Sequence, residues 1–212
     1  MNFDKYDTMI WDWNGTLLDD VQMCISCMNQ LLSMRDIPLL DRKKYQDHFT
    51  FPVQDYYQAI GIDFNKDPFD IIGHDFMDLY FKALPSCKLH DGVEEVLKFF
   101  KALNKRQFVL SAMEHDSLSQ ALEDYGISDF FEDAYGIDNH LAAGKIGRAH
   151  QMLEDHQIKP SSTLMFGDTL HDEEVASEMG VDIILLSIGH QSHQVLSTSG
   201  HQVLSRLSAI SG

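Results

Sequence analysis

Four short apolar runs, each closed by a small or acidic residue and followed by a segment of helical periodicity, set the strongest limit on what this chain can fold into. They are Thr8-Met9-Ile10-Trp11 closed by Asp12, Phe108-Val109-Leu110 before Ser111, Thr163-Leu164-Met165-Phe166 before Gly167-Asp168, and Ile183-Ile184-Leu185-Leu186 before Ser187. A strand that is apolar at every position has both faces buried, which is the condition of a parallel strand covered by helices. Segments at about 92–103, 115–125, 144–156 and 171–179 carry apolar residues at i, i+3 and i+4. The alternation predicts βαβ units around a parallel sheet, an α/β fold.

One region departs from this rhythm. From about residue 20 to 86 there are only helical candidates, near 20–35, 41–48, 54–60 and 69–84, punctuated by Pro38, Pro52, Gly61 and Pro68. This predicts a helical insertion after the first strand, with the α/β pattern resuming near Leu89 to Gly92. A length of 212 residues agrees, being long for one domain and short for two. The tail from Ser187 is rich in Ser, His and Gln, and its two copies of His-Gln-Val-Leu-Ser are too short for a structural repeat.

Charge narrows the function. The 16 basic and 33 acidic side chains give 16 − 33 = −17, which opposes nucleic-acid phosphates and anionic membranes. The N-terminus lacks the basic and apolar segments of a secretory signal, and no run approaches the ~18 apolar residues of a membrane span. Cys24, Cys27 and Cys87 cannot make a disulfide framework. A cytoplasmic monomer acting on a small molecule is expected.

In an open parallel sheet, ligands bind at the carboxyl ends of the strands. Collecting the residues there gives Asp12, Asn14, Ser111, Asp168 and Asp172. Carboxylates gathered from different strands repel unless a cation lies between them, and an all-oxygen set suits Mg²⁺. Gly15-Thr16 predicts a tight turn whose N–H groups could hold an anion. A metal and an anion cradle together point to phosphoryl chemistry.

Trp11-Asp12-Trp13-Asn14-Gly15-Thr16-Leu17-Leu18-Asp19 resembles the first signature of the haloacid dehalogenase superfamily. The later signatures follow in order: Ser111 in Val-Leu-Ser-Ala, Lys145 in Ala-Ala-Gly-Lys, and Asp168 and Asp172 in Gly-Asp-Thr-Leu-His-Asp. The resemblance implies a Rossmann-like core over 1–18 and 87–212, with a small all-helical cap over 19–86 like that of phosphoglycolate phosphatases. It also implies roles. Asp12 is the nucleophile that forms an aspartyl-phosphate; Asp12, the Asn14 carbonyl and Asp168 hold Mg²⁺, with Asp172 completing or orienting the site. Ser111 and the N–H of Ala112 bind phosphoryl oxygens, and Lys145 neutralises charge on the nucleophile and the transferring group. The substrate is then a small phosphate ester.

Asn14 departs from the family pattern, which places a second Asp there as general acid and base. A carboxamide can donate a hydrogen bond to a leaving oxygen but cannot transfer a proton, an effect worth roughly 10² to 10⁴ in rate. Three readings follow: a slow Mg²⁺-dependent phosphatase; a carbon–phosphorus hydrolase resembling the phosphonoacetaldehyde hydrolases, with Lys43 or Lys44 as positional candidates for its Schiff base; or a phosphate-ligand binding protein. Haloacid dehalogenation ranks below these, since the cap offers only Arg35 and Arg42 for a carboxylate. His115 and His171 lie near signature residues and are candidates for the missing proton. Cys24 and Cys27 share a helix face and are expected to pack, and 48–52 resembles the part of a cap that closes over substrate.

Overall fold

The computed structural model describes residues 1–137 and 144–211. Its core is a parallel sheet of six strands: β1 (Thr8–Trp11), β4 (Arg106–Glu114), β5 (Asp133–Ile137), β6 (Thr163–Gly167), β7 (Asp182–Leu186) and β8 (Gln202–Leu204). The order β5-β4-β1-β6-β7-β8 puts β1 in the interior, paired Thr8↔Arg106 and Thr8↔Thr163 on its two sides. Chain order runs outward from β1 in both directions, so the crevice where connections diverge opens at the end of β1.

Both faces of the sheet are covered, which explains the uninterrupted apolar runs. Met9, Trp11, Val109, Leu164, Phe166, Ile184 and Leu186 pack on one side, against α5 (Val93–Ala102), α6 (His115–Asp124) and α10 (Ser208–Ser211). Ile10, Phe108, Leu110, Met165, Ile183 and Leu185 pack on the other, against α7 (Lys145–Asp155), α8 (Leu170–Met179) and α9 (His193–Leu196). Alternate residues of one run thus enter opposite layers. Trp11 stacks on Phe166 with ring centroids 4.2 Å apart, and its indole N–H donates to the buried Gln107 at 3.2 Å.

The insertion is helical as expected: α1 (Val21–Ser33), α2 (Arg42–His48), α3 (Val53–Ala59) and α4 (Phe69–Ala83). It lies between β2 (Leu18–Asp19) and β3 (Lys88–Leu89), which pair antiparallel where the chain leaves and rejoins the core. It has its own apolar centre, including Ile25, Met28, Leu32, Tyr45, Tyr56 and Ile72. Cys24 and Cys27 are buried in packing, and the Cys27 thiol lies 3.7 Å from Met23 sulfur.

The structure adds elements that the sequence pattern did not reveal. β2 and β3 are two residues each, β5 has only Tyr135 and Gly136 buried, and the Ser- and His-rich tail forms α9, β8 and α10. β4 continues past Leu110 to Glu114 with a shift in register, so Ser111 lies at an irregularity inside the strand instead of after it.

Candidate active site

β1 has fixed neighbours on both sides, and Asp12 extends its ladder by one bond, its N–H donating to Phe166 O at 2.9 Å. The chain then turns tightly: the N–H groups of Thr16, Leu17 and Leu18 all point to Trp13 O, at 3.3, 3.0 and 2.9 Å. Gly15 permits the turn through φ +76°, and a Cβ there would lie 2.3 Å from Asp168 Oδ2. The expected anion cradle at Gly15-Thr16 is already filled. Gly15 N donates to Leu18 O and to Asp20 Oδ1, and Thr16 N to Trp13 O.

Four of the site residues named from sequence come together. Asp12, Asp168 and Asp172 each place a carboxylate oxygen within 4.8 Å of the others, and Lys145 Nζ reaches Asp12 Oδ1 and, at 2.5 Å, Asp172 Oδ1. All four are buried, with exposures of 5% or less. Lys145 opens α7; Ala142 and Ala143 of its Ala-Ala-Gly-Lys signature lie outside the described residues.

Asp172 is the most committed of the carboxylates. Its Oδ2 accepts from Asp168 N, Thr169 N and Thr169 Oγ1 at 3.1, 3.0 and 2.7 Å, while Thr169 caps α8 in return. Its geometry suits orienting Lys145 and the loop after β6. Asp168 is held by Thr16 Oγ1 at 2.9 Å and by His190 N at 2.6 Å. The all-oxygen donors of Asp12 and Asp168 fit a hard divalent cation.

Charge follows from burial. With every group ionised, three carboxylates and one ammonium would leave the cluster at −2 without a cation, which burial opposes. Burial pushes Asp12 well above the usual carboxylate range despite Lys145, and it lifts Asp168 to about 6. Burial alone would raise Asp172 too, but Lys145 and Thr169 hold it below the usual range. Burial opposes charge on Lys145, yet Asp12 and Asp172 keep it an ammonium.

Asn14 faces a network that the sequence did not disclose. Its Nδ2 donates to Asp20 Oδ2 at 2.9 Å and to Tyr80 Oη at 2.6 Å, so both amide hydrogens turn toward these partners instead of toward a leaving oxygen. Asp20 Oδ1 pairs with His190 Nε2 at 3.2 Å. Against burial, Asp20 raises His190 to about 9, and His190 holds Asp20 below the usual carboxylate range. Cys24 Sγ lies 3.8 Å from Asp20 Oδ2. Asp20, Cys24 and His190 have the donor types of a metal site, but the ion pair already satisfies the carboxylate and imidazole. His190 was within reach of the strand-end rule, standing four residues past β7. Asp20 was visible only as the second of two adjacent acids.

The remaining candidates bond other partners. Ser111 is buried, and its Oγ accepts from Met113 N at 3.0 Å; Ala112 is exposed beside it. His171 pairs with Glu174 at 3.1 Å and packs on Phe51, and His115 Nδ1 is 3.5 Å from Gly136 N. Lys43 is exposed and paired with Asp47, and Arg35 forms an ion pair with Asp67 at 3.0 Å within the insertion.

Residues 9–186 match a family model described as haloacid dehalogenase-like hydrolase. A phosphoglycolate phosphatase of Photobacterium profundum is 28% identical over 55% of this chain, which spans about half that protein's length (51%). One from Caulobacter vibrioides is 26% identical over 89% of this chain and 82% of its own. A haloacid dehalogenase-like family protein of Streptococcus pneumoniae, 19% identical, superposes with a TM-score of 0.82 over 97% of both chains. With the signature residues Asp12, Lys145, Asp168 and Asp172 gathered at the end of β1, the chain belongs to the haloacid dehalogenase-like hydrolase family.

Proposed function

We propose that this protein hydrolyses a small phosphate monoester with Mg²⁺, through an aspartyl-phosphate on Asp12. The reading is carried by one arrangement: Asp12 stands at the end of an interior strand, bonded to a lysine that is itself oriented by Asp172. Asp12 Oδ2 attacks phosphorus, the P–O bond to the alcohol breaks, and the leaving alkoxide takes a proton from solvent water, since Asn14 has none to transfer. Water then attacks the acyl-phosphate, releasing phosphate and restoring the carboxylate. Lys145 offsets the charge moving from Asp12 to the phosphoryl group, and Ser111 Oγ with Ala112 N would hold its oxygens. Asp12, Asp168 and the Asn14 carbonyl would hold Mg²⁺, which supplies electrostatic stabilisation of phosphoryl oxygens when bound. Asp172 orients Lys145.

In this reading, 19–86 is a cap over a core of 1–18 and 87–212. The site residues are too buried for a substrate to reach Asp12 unless the cap opens. The relatives named phosphoglycolate phosphatases favour a small phosphorylated metabolite. The acidic composition opposes nucleic-acid partners, no helix among the described residues is long and apolar enough to cross a membrane, and the reading adopted is a cytoplasmic monomer. Of the two candidates for the Schiff base of a carbon–phosphorus hydrolase, Lys43 is an exposed partner of Asp47, which leaves Lys44 alone to carry that reading.

A phosphate-release screen over a metabolite panel tests the assignment, with wild type beside Asp12→Asn and each run with Mg²⁺ or with EDTA. Release by wild type that needs Mg²⁺ and drops at least a thousandfold in Asp12→Asn is expected. Release that survives Asp12→Asn, or none from wild type on any ester, refutes it.

A further inference from the structure

The loop after β7 touches the helical insertion on one side and the carboxylate cluster on the other. From the insertion, Arg42 Nη2 donates to Ile188 O at 2.8 Å and Gln46 Nε2 to Gly189 O at 2.6 Å, while Ser192 N donates to Gln46 O at 3.1 Å. Tyr45 Oη bonds His190 Nδ1 at 2.9 Å, and Phe49 stacks on the same ring with centroids 4.9 Å apart. Toward the cluster, His190 N donates to Asp168 Oδ2 at 2.6 Å. Gly189 lies so near that a Cβ there would stand 2.1 Å from the same oxygen. Gln191 joins both sides through one buried carboxamide: Oε1 accepts from Leu170 N, the first residue of α8, at 2.7 Å, and Nε2 donates to Phe49 O at 2.8 Å.

We propose that His190 and Gln191 are positioning residues that transmit the seating of the cap to Asp168 and the first turn of α8. The inference rests on the reading of 19–86 as a cap and of Asp168 as a cation ligand. Asp168 has one donor, Thr16 Oγ1, on the turn after β1 and a second, His190 N, on a loop outside regular structure. That loop's bonds to α2 and Phe49 are lost together when the cap lifts, and the second donor to Asp168 is then left on a segment held, among the described residues, only by the Gln191–Leu170 bond and the His190–Asp20 pair. Cap closure therefore does more than exclude water: it orients a carboxylate that the reaction needs. A discrete element read by both sites is what coupling between them requires.

Two substitutions weaken the cap half alone, at the two cap contacts made by the side chains of His190 and Gln191, and leave the Arg42 and Gln46 bonds in place. Gln191→Glu keeps an acceptor for Leu170 N and removes the donor to Phe49 O; Tyr45→Phe removes only the hydroxyl on His190. Neither side chain bonds Asp168. The measurements are amide hydrogen exchange of segments 166–172 and 188–192 in metal-free protein, and Mg²⁺ affinity by titration calorimetry. In the double variant, exchange is expected to rise about tenfold in both segments with α5 unchanged, and Mg²⁺ affinity to fall about tenfold. Faster exchange in 188–192 with 166–172 and Mg²⁺ affinity unchanged overturns the proposal, as does no change in either segment. If wild type binds no Mg²⁺, the cation reading of Asp168 fails and the metal-free exchange still decides the coupling. Should Gln191→Glu fail to fold, Tyr45→Phe alone makes the same comparison.

Discussion

Asn14→Asp restores the acid of the family pattern, and the structure predicts an outcome that depends on pH. The new carboxyl would replace the Nδ2 group that now lies 2.9 Å from Asp20 Oδ2. Two carboxylates at that separation repel by about 6 kcal/mol at an effective dielectric of about 20, an upper bound equal to about 4 pKa units. His190, paired with Asp20 at 3.2 Å, offsets part of this. Half the bound leaves the carboxyl at position 14 with a pKa near ~6, about 2 units above its unfolded value. A carboxyl raised in the folded state leaves stability untouched below its unfolded pKa and removes it as pH rises between the two values. Asn14→Asp should therefore match wild type near pH 4, where the protonated group donates to Asp20 as the amide does. It should be about 3 kcal/mol less stable at pH 8. Once substrate turns this carboxyl from Asp20 to the leaving oxygen, its proton, held at a pKa near ~6, suits an alkoxide, so turnover on an alkyl phosphate should rise at least ~10-fold at pH 6 and much less at pH 8. Urea unfolding at pH 4.5, 6 and 8 measures the first effect, phosphate release the second. Adding Asp20→Asn should abolish the pH-dependent loss, since the pair then carries one charge. A stability loss that does not change with pH, or one that persists in the double variant, would show that Asp20 is not the group facing position 14.

Two further outcomes follow from the cluster. Burial raises Asp168 to about 6, so ionising it costs stability as pH rises from its unfolded pKa to about 6, and a bound cation relieves that cost. Saturating Mg²⁺ should raise the melting temperature more at pH 7.5 than at pH 5, with equal shifts counting against the site. Lys145→Met leaves Asp12 and Asp172 buried without their partner, a loss of about 3 to 5 kcal/mol at pH 8. The loss should be smaller at pH 5 than at pH 8, because burial raises Asp12 and lower pH favours its neutral form. Metal-free denaturation at the two pH values decides this, and an equal loss at both would be the adverse result.

The core and the charged cluster were legible in the sequence because both obey local rules. A run such as Thr163 to Phe166 is apolar throughout only because helices cover both faces, and the residue that ends it stands at the crevice by the geometry of any parallel sheet. Asp12 and Asp168 follow from that alone. The rule reaches the position of His190 but not its role, and it misses Asp20 and Gln191, since the His190–Asp20 and Gln191–Phe49 contacts join segments more than a hundred residues apart in the chain. Asn14 shows the limit most directly. Its identity departs from the family pattern, but where its carboxamide points depends on Asp20 and on Tyr80, which arrives from α4.

The tail makes the same point in its backbone. His-Gln-Val-Leu-Ser occurs at 193–197 and again at 201–205; in the first copy His193–Leu196 forms α9, and in the second Gln202–Leu204 forms β8. Intrinsic propensity is identical, so the difference has to come from neighbours. The first copy follows Ser192, whose hydroxyl accepts from Val195 N as an N-cap, and its Leu196 is buried against the α8 side of the sheet. The second follows Gly200 at φ +77° and pairs with β7 in the register Leu185↔Val203. A cap of about 1 kcal/mol on one side and an open sheet edge on the other are enough to divide one pentapeptide between two structures. The first copy thereby begins directly after the loop that carries His190 and Gln191, and α9 anchors the far end of the segment on which both the insertion and Asp168 depend.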